Sequence, residues 1–118
     1  MKVAVSDRKV VDVQKTGADR FLDSADVRMS GTFRSLASAI MGDGALSARE
    51  KALIALACSV AIRCESCTRR HMEQARALGV TREEMLEAAA VASLIRMGSG
   101  LNAAAVILDE MQEAASKR

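Results

Sequence analysis

Two short segments of the chain carry the same signal to start a helix. Ser47-Ala48-Arg49-Glu50 and Thr81-Arg82-Glu83-Glu84 each place a hydroxyl residue three positions before a glutamate. In such a capping box the hydroxyl accepts the glutamate's backbone N–H and the carboxylate accepts the N–H of the capping residue. Two donors that a helix leaves unpaired at its start are thereby satisfied. No proline occurs among the 118 residues to remove a helix hydrogen bond and clash with the preceding turn. Trp and Tyr are also missing, and Phe21 and Phe33 are the only aromatic side chains, which leaves Ala, Leu, Ile, Val and Met to fill a core. Such a chain is expected to be all-α, with helices that approach one another closely.

The periodicity predicts about five helices joined by short turns. Between Asp26 and Met41, Val27, Met29, Phe33, Leu36, Ala37 and Ile40 recur at helical spacing, and Gly42-Asp43-Gly44 ends the pattern. The helix opened by Ser47 runs into residues 52–62, eleven positions of which Ser59 alone is not apolar. A helix apolar all round is expected to be buried all round, and Cys58 on it to be a small buried hydrophobe. This run is far short of the roughly 20 residues of a bilayer crossing, so no membrane association is expected. A further helix continues through Met72, Ala75 and Leu78 to Gly79 as its C-terminal stop. The helix opened by Thr81 carries Met85, Leu86, Val91, Leu94 and Ile95. It is expected to stop at Gly98-Ser99-Gly100, with a last helix from Leu101 through Met111. The first twenty residues lack this period, so residues 1–25 are assigned to an N-terminal arm or short strand and 26–118 to the helical domain. Three mostly apolar helices leave more apolar surface than one small core can cover, which points to a homo-oligomer.

Net charge is +2 and the basic residues are spread along the chain. With no basic stripe and no Tyr or Trp to stack bases, nucleic-acid binding is not expected. The segment Met1-Lys2-Val3-Ala4-Val5-Ser6-Asp7 does not resemble a secretory leader, and a cytoplasmic location is expected.

Chemistry concentrates in Cys64-Glu65-Ser66-Cys67-Thr68-Arg69-Arg70-His71, which holds two thiols and the only histidine of the chain. On a helix Cys64 and Cys67 are i,i+3 neighbours and His71 is i+4 from Cys67, so all three share a face. A thiolate is the attacking species, and an imidazolium or a helix N-terminus helps to form it. His71 is within reach of Cys67, whereas Cys64 lies about 10 Å away along a helix axis. Cys67 therefore reads as the attacking thiol, Cys64 as the resolving thiol and His71 as the proton-transfer partner. Zinc is an alternative occupant. The run offers three ligands where a structural zinc takes four, and Cys58 sits about 240° around the wheel from Cys64, so a second chain or a water would have to complete the set. A structural disulfide is a third reading, rare in a reducing compartment. Arg63, Arg69 and Arg70 flank the dithiol and either favour the thiolate, hold an anionic substrate or form a solvated cluster.

Three stretches together carry a family resemblance: Leu46 to Ala57, the dithiol run Cys64 to His71, and Ala75 to Ala88. They resemble the carboxymuconolactone decarboxylase and alkylhydroperoxidase D superfamily over roughly residues 30 to 110. The resemblance implies an AhpD-like all-helical bundle that assembles as trimers or hexamers. It also implies that the second cysteine attacks a hydroperoxide, that the first resolves it as a disulfide, and that a relay histidine falls at His71. No bound cofactor or metal is implied. Electrons return from an external dithiol or a lipoyl-bearing reductant protein.

The chain departs from that pattern at two positions. The relay glutamate expected twelve residues before the first cysteine is Ala52, and the nearest acid, Glu50, has a capping role beside a possible role in the relay. A histidine expected immediately before the second cysteine is Ser66. Glu65 and Glu73 are further candidate acids. Three functions are consistent with the residues: a thiol-dependent peroxidase or disulfide oxidoreductase, a carboxymuconolactone decarboxylase-like lyase that needs no dithiol, and a non-enzymatic redox or zinc sensor.

Overall fold

The computed structural model describes residues 2–4, 10–12 and 16–117. Its helices are α1 (Gly17–Ala25), α2 (Val27–Met41), α3 (Ala48–Ala61), α4 (Glu65–Ala77) and α5 (Arg82–Ser116). An antiparallel hairpin of β1 (Lys2–Ala4) and β2 (Val10–Asp12) precedes them, with Lys2 opposite Asp12 and Ala4 opposite Val10. The chain divides into two compact units, residues 1–42 and 43–118.

In the first unit α1 lies within the stretch assigned to an arm, and the division falls after Gly42 rather than at residue 25. The cause is a third capping box. Thr16 Oγ1 accepts the Asp19 N–H at 3.1 Å, and the Asp19 carboxylate accepts the Thr16 N–H at 3.1 Å. Those bonds, the Thr16 N–H foremost, hold the Asp19 carboxyl below the usual carboxylate range against the opposing effect of desolvation, with Arg34 of α2 assisting. Asp26 alone separates α1 from α2. Its N–H donates to Leu22 as α1 closes, and its carboxylate accepts the Arg28 N–H at 2.8 Å as α2 opens.

In the second unit both expected capping boxes form, Ser47 with Glu50 and Thr81 with Glu84. The core is small and made of small side chains: Ala52 and Ala75 are fully buried and Val80 nearly so, with Leu53 and Met85 packed against them. Leu56 and Ala92 are also buried. On α3 the buried positions are Ala52, Leu56 and Ser59, one helical stripe. Cys58 is two residues from Leu56, about 200° around the wheel, and is exposed rather than buried as expected. Ile54 is exposed as well, so α3 is covered along one face and not all round.

The expected break at Gly98-Ser99-Gly100 does not occur: α5 runs unbroken for 35 residues. A glycine inside a helix costs only about 1 kcal/mol relative to alanine, and the Ala, Leu and Met residues on either side carry the helix through. Gly79 is the only described glycine with a positive φ. By length and composition α5 is apolar enough to cross a membrane, a property the expected break concealed. Leu94, Ile95, Leu101, Leu108 and Met111 are all exposed on it, at 62 to 69%.

Candidate active site

The site begins where α3 ends. Ile62 caps α3, Arg63 follows at φ 61°, the Arg63 N–H donates to Val60 O and the Cys64 N–H donates to Ser59 O, both at 3.0 Å. This pair of bonds is a Schellman closure with arginine in the left-handed position that glycine usually fills. It delivers Cys64 to the start of α4 as its N-cap. Cys64 Sγ accepts the Cys67 backbone N–H at 3.2 Å, and Cys64 O accepts the Thr68 hydroxyl at 2.8 Å. Sequence reasoning missed the cap, because cysteine is not among the usual capping residues.

Cys64 and Cys67 are joined as a disulfide. Both are half-buried, as are Thr68, His71, Met72 and Gln74, whereas Glu65, Ser66, Arg69, Arg70 and Glu73 are exposed. The dithiol and the histidine therefore share one face of α4, and the charges decorate the other. His71 lies one turn beyond Cys67, and its Nδ1 is 2.8 Å from Gln74 Oε1, a partner that sequence reasoning did not identify although i,i+3 spacing permits it.

The candidate acids are not gathered at this site. Glu65 pairs with Arg69 and Glu73 with Arg76, both on the exposed face. Glu50 is committed to its cap: its carboxylate accepts the Ser47 N–H at 3.1 Å, which with the Ser47 hydroxyl holds its carboxyl below the usual range. Ala52 is fully buried against the cluster of Ala75 and Val80, so the position matching a relay glutamate is filled by packing. Arg69 is paired with Glu65, while Arg63, in the turn, and Arg70, on α4, are exposed.

Among the described residues no group of three or more His, Cys, Asp and Glu side chains converges to hold a metal ion. An open hollow between α1 and α2 is lined by Leu22, Asp26, Arg28, Met29, Thr32 and Phe33 and includes none of the site residues. The arrangement as a whole defines a class: an α-helical protein with a redox-capable dithiol at a helix N-terminus and a histidine one turn further on.

Comparison with known proteins narrows this class. The carboxymuconolactone decarboxylase family model matches residues 29–110, and the chain belongs to that family. A protein of Paracoccus denitrificans described as uncharacterized protein 4 in the cox locus is 36% identical over 93 residues, 76% of this chain and 84% of that one. A crystal structure from Methanobacterium thermoautotrophicum is 50% identical, covers 78% of this chain and 99% of its own, and superposes with a TM-score of 0.72. A carboxymuconolactone decarboxylase family protein of Thermotoga maritima, described with a suggested involvement in the antioxidative response, is 28% identical over 75% of this chain and 95% of its own, at a TM-score of 0.54.

Proposed function

We propose that the chain is a thiol-dependent hydroperoxide reductase working through Cys67, Cys64 and His71. The observation that carries the reading is the pairing of Cys64 with Cys67 at the N-terminus of α4, on the half-buried face that also holds His71. In the reduced protein Cys67 gives its proton to His71, and the thiolate attacks the terminal oxygen of a hydroperoxide. An S–O bond forms, the O–O bond breaks, and the alcohol leaves with the proton returned by His71. Cys64 then attacks the Cys67 sulfenic acid, an S–S bond forms, and water departs. The Cys64 cap site favours that second thiolate, because the α4 N-terminus and the Cys67 N–H stabilise negative charge on its sulfur. An external dithiol, either small or lipoyl-bearing, supplies two electrons and two protons to reopen the disulfide and becomes oxidised itself.

The working form in this reading is a cytoplasmic homo-oligomer, trimeric or hexameric, whose contacts cover the exposed side chains of α5. Arg96 and Asn102 interrupt that apolar surface, and Arg96 at the centre of a bilayer would be costly, which favours protein over lipid as its cover. Gly98 and Gly100 fit the same reading, since among the described residues an added Cβ at either meets nothing within 4 Å beyond its own helix turn, which leaves room for a close neighbour. Light scattering on the purified protein tests this part of the reading.

The reaction is tested by free-thiol count and intact mass after a small excess of hydroperoxide. Wild type is expected to lose two thiols and to recover them with a dithiol, and Cys67→Ser to lose its peroxide consumption. Thiols that stay reduced in wild type would overturn the reading and move the assay to lactone substrates.

A further inference from the structure

We infer that Gln74 is the positioning residue for His71, fixing the neutral imidazole as its Nδ1–H tautomer so that Nε2 is the proton-accepting nitrogen. This rests on the redox reading above for its consequence, but not for its geometry. Gln74 Oε1 lies 2.8 Å from His71 Nδ1. A carboxamide oxygen has lone pairs and no proton, so the hydrogen between the two atoms belongs to Nδ1. A neutral imidazole carries one N–H, and with that proton on Nδ1 the lone pair is left on Nε2.

Three features of the site make this bond decisive. Both side chains are half-buried on the face of α4 that holds the dithiol, where water competes less for the ring than it does at the surface. Gln74 is the hydrogen-bonding partner of His71 among the described residues, with Glu65 and Glu73 tied to arginines on the opposite face. Ala52 of α3 and Ala75 of α4 are fully buried in one cluster and carry no polar side-chain atom to compete for the ring. Side chains on a helix lean toward its N-terminus, so the imidazole tilts toward Cys67 while Gln74 holds it from the C-terminal side. Being an amide, Gln74 supplies direction without adding negative charge. The proton relay of this site is thus a thiol, a histidine and a neutral orienting group.

The test uses the fact that the chain has one histidine, so an untagged, reduced, 15N-histidine-labelled sample gives one imidazole signal pair in a long-range 1H–15N spectrum. Wild type is expected to show Nδ1 protonated and Nε2 unprotonated. Gln74→Met keeps the length and removes the acceptor. It is expected to populate the Nε2–H tautomer and to slow disulfide formation by hydroperoxide about 10-fold, less than the roughly 100-fold or more that general base catalysis contributes, because the base is misoriented rather than removed. Gln74→Glu restores an acceptor and is expected to restore the Nδ1–H tautomer. A wild-type ring with its proton on Nε2, a Gln74→Met ring with an unchanged tautomer, or a changed tautomer with an unchanged oxidation rate would each overturn the inference. If the tautomers behave as expected but hydroperoxide oxidises no thiol in any of the three proteins, the hold of Gln74 on His71 stands and the redox reading falls.

Discussion

After α3 the chain turns through Ile62 and Arg63, and after α4 it turns through Leu78 and Gly79, with the same hydrogen bonds each time. Cys64 donates to Ser59 and Arg63 to Val60 in the first turn, Val80 to Ala75 and Gly79 to Arg76 in the second, all at 3.0 Å. The left-handed residue is arginine at φ 61° in one and glycine at φ 81° in the other. The residue after it differs too. Val80 is buried against Ala75 and joins the core, which is the usual hydrophobic companion of this motif, whereas Cys64 stays half-buried and caps the next helix with its sulfur. Beyond Val80 the second turn is further tied by Arg49, which reaches both the Glu84 carboxylate and Gly79 O. One closure is built to hold, and its twin carries backbone strain and a reactive group, which is the usual distribution between a scaffold and a site.

The two turns are expected to respond differently to matched substitutions. The largest effect is at the residue after each left-handed position. Val80→Ala is expected to cost about 2 kcal/mol in denaturant unfolding, from lost burial and the space left behind. With the wild type held reduced, Cys64→Ala removes a half-buried cap and is expected to cost about 1 kcal/mol. Equal losses would mean that the two turns are not differently built. Next in size, Arg63→Gly relieves a left-handed arginine and is expected to stabilise by about 1 kcal/mol, the relief of strain exceeding the entropy glycine adds to the unfolded chain. Gly79→Arg is the reverse experiment, and its expected loss is of about the same size. Thermal melts of both variants read the two signs directly, and like signs would contradict the account.

The smallest effect is electrostatic. Arg49 first, and then the Thr81 N–H, pull the Glu84 carboxyl from 4.5 to about 2. A depressed carboxyl contributes stability that is present above its unfolded value and is lost as pH falls through the folded one. Glu84→Gln can still fill the capping box but has no charge to titrate. Wild type is therefore expected to be the more stable of the two at neutral pH, with the difference closing as pH falls from about 4.5 to about 2. A difference that stays constant across that range would show the Arg49 contact to be without effect.

Much of the fold is legible in the sequence because it is local. The Ser47 and Thr81 boxes need only four consecutive residues each, and α3 and α5 start where they indicate. Thr16 to Asp19 carries the same message with aspartate in place of glutamate, so the rule that reads α3 and α5 also covers α1, which the pattern of apolar residues hides. Gly98-Ser99-Gly100 misleads for the opposite reason: glycine permits a turn without requiring one, and nothing local distinguishes Gly98 inside a helix from Gly79 at the end of one. Cys58 falls on the unexpected side because an all-apolar run gives no indication of which face a small core will cover. At the site, helical spacing puts Cys64, Cys67 and His71 on one face, as found. The N-cap role of Cys64, the left-handed Arg63 and the Gln74 contact depend on where the helix begins, and no residue pattern states that to within one position.

The helix cap and the histidine pull in opposite directions. In the proposed mechanism the start of α4 favours a thiolate at Cys64, His71 favours one at Cys67, and Cys67 is the sulfur that meets peroxide. The most direct test treats reduced Cys64→Ser and Cys67→Ser with a small excess of hydroperoxide in the presence of dimedone and maps the adduct by peptide mass. Rapid labelling of Cys67 in the first variant and little labelling of Cys64 in the second is the predicted result. Labelling of Cys64 at an equal or greater rate would contradict the account and transfer the attacking role to the helix cap.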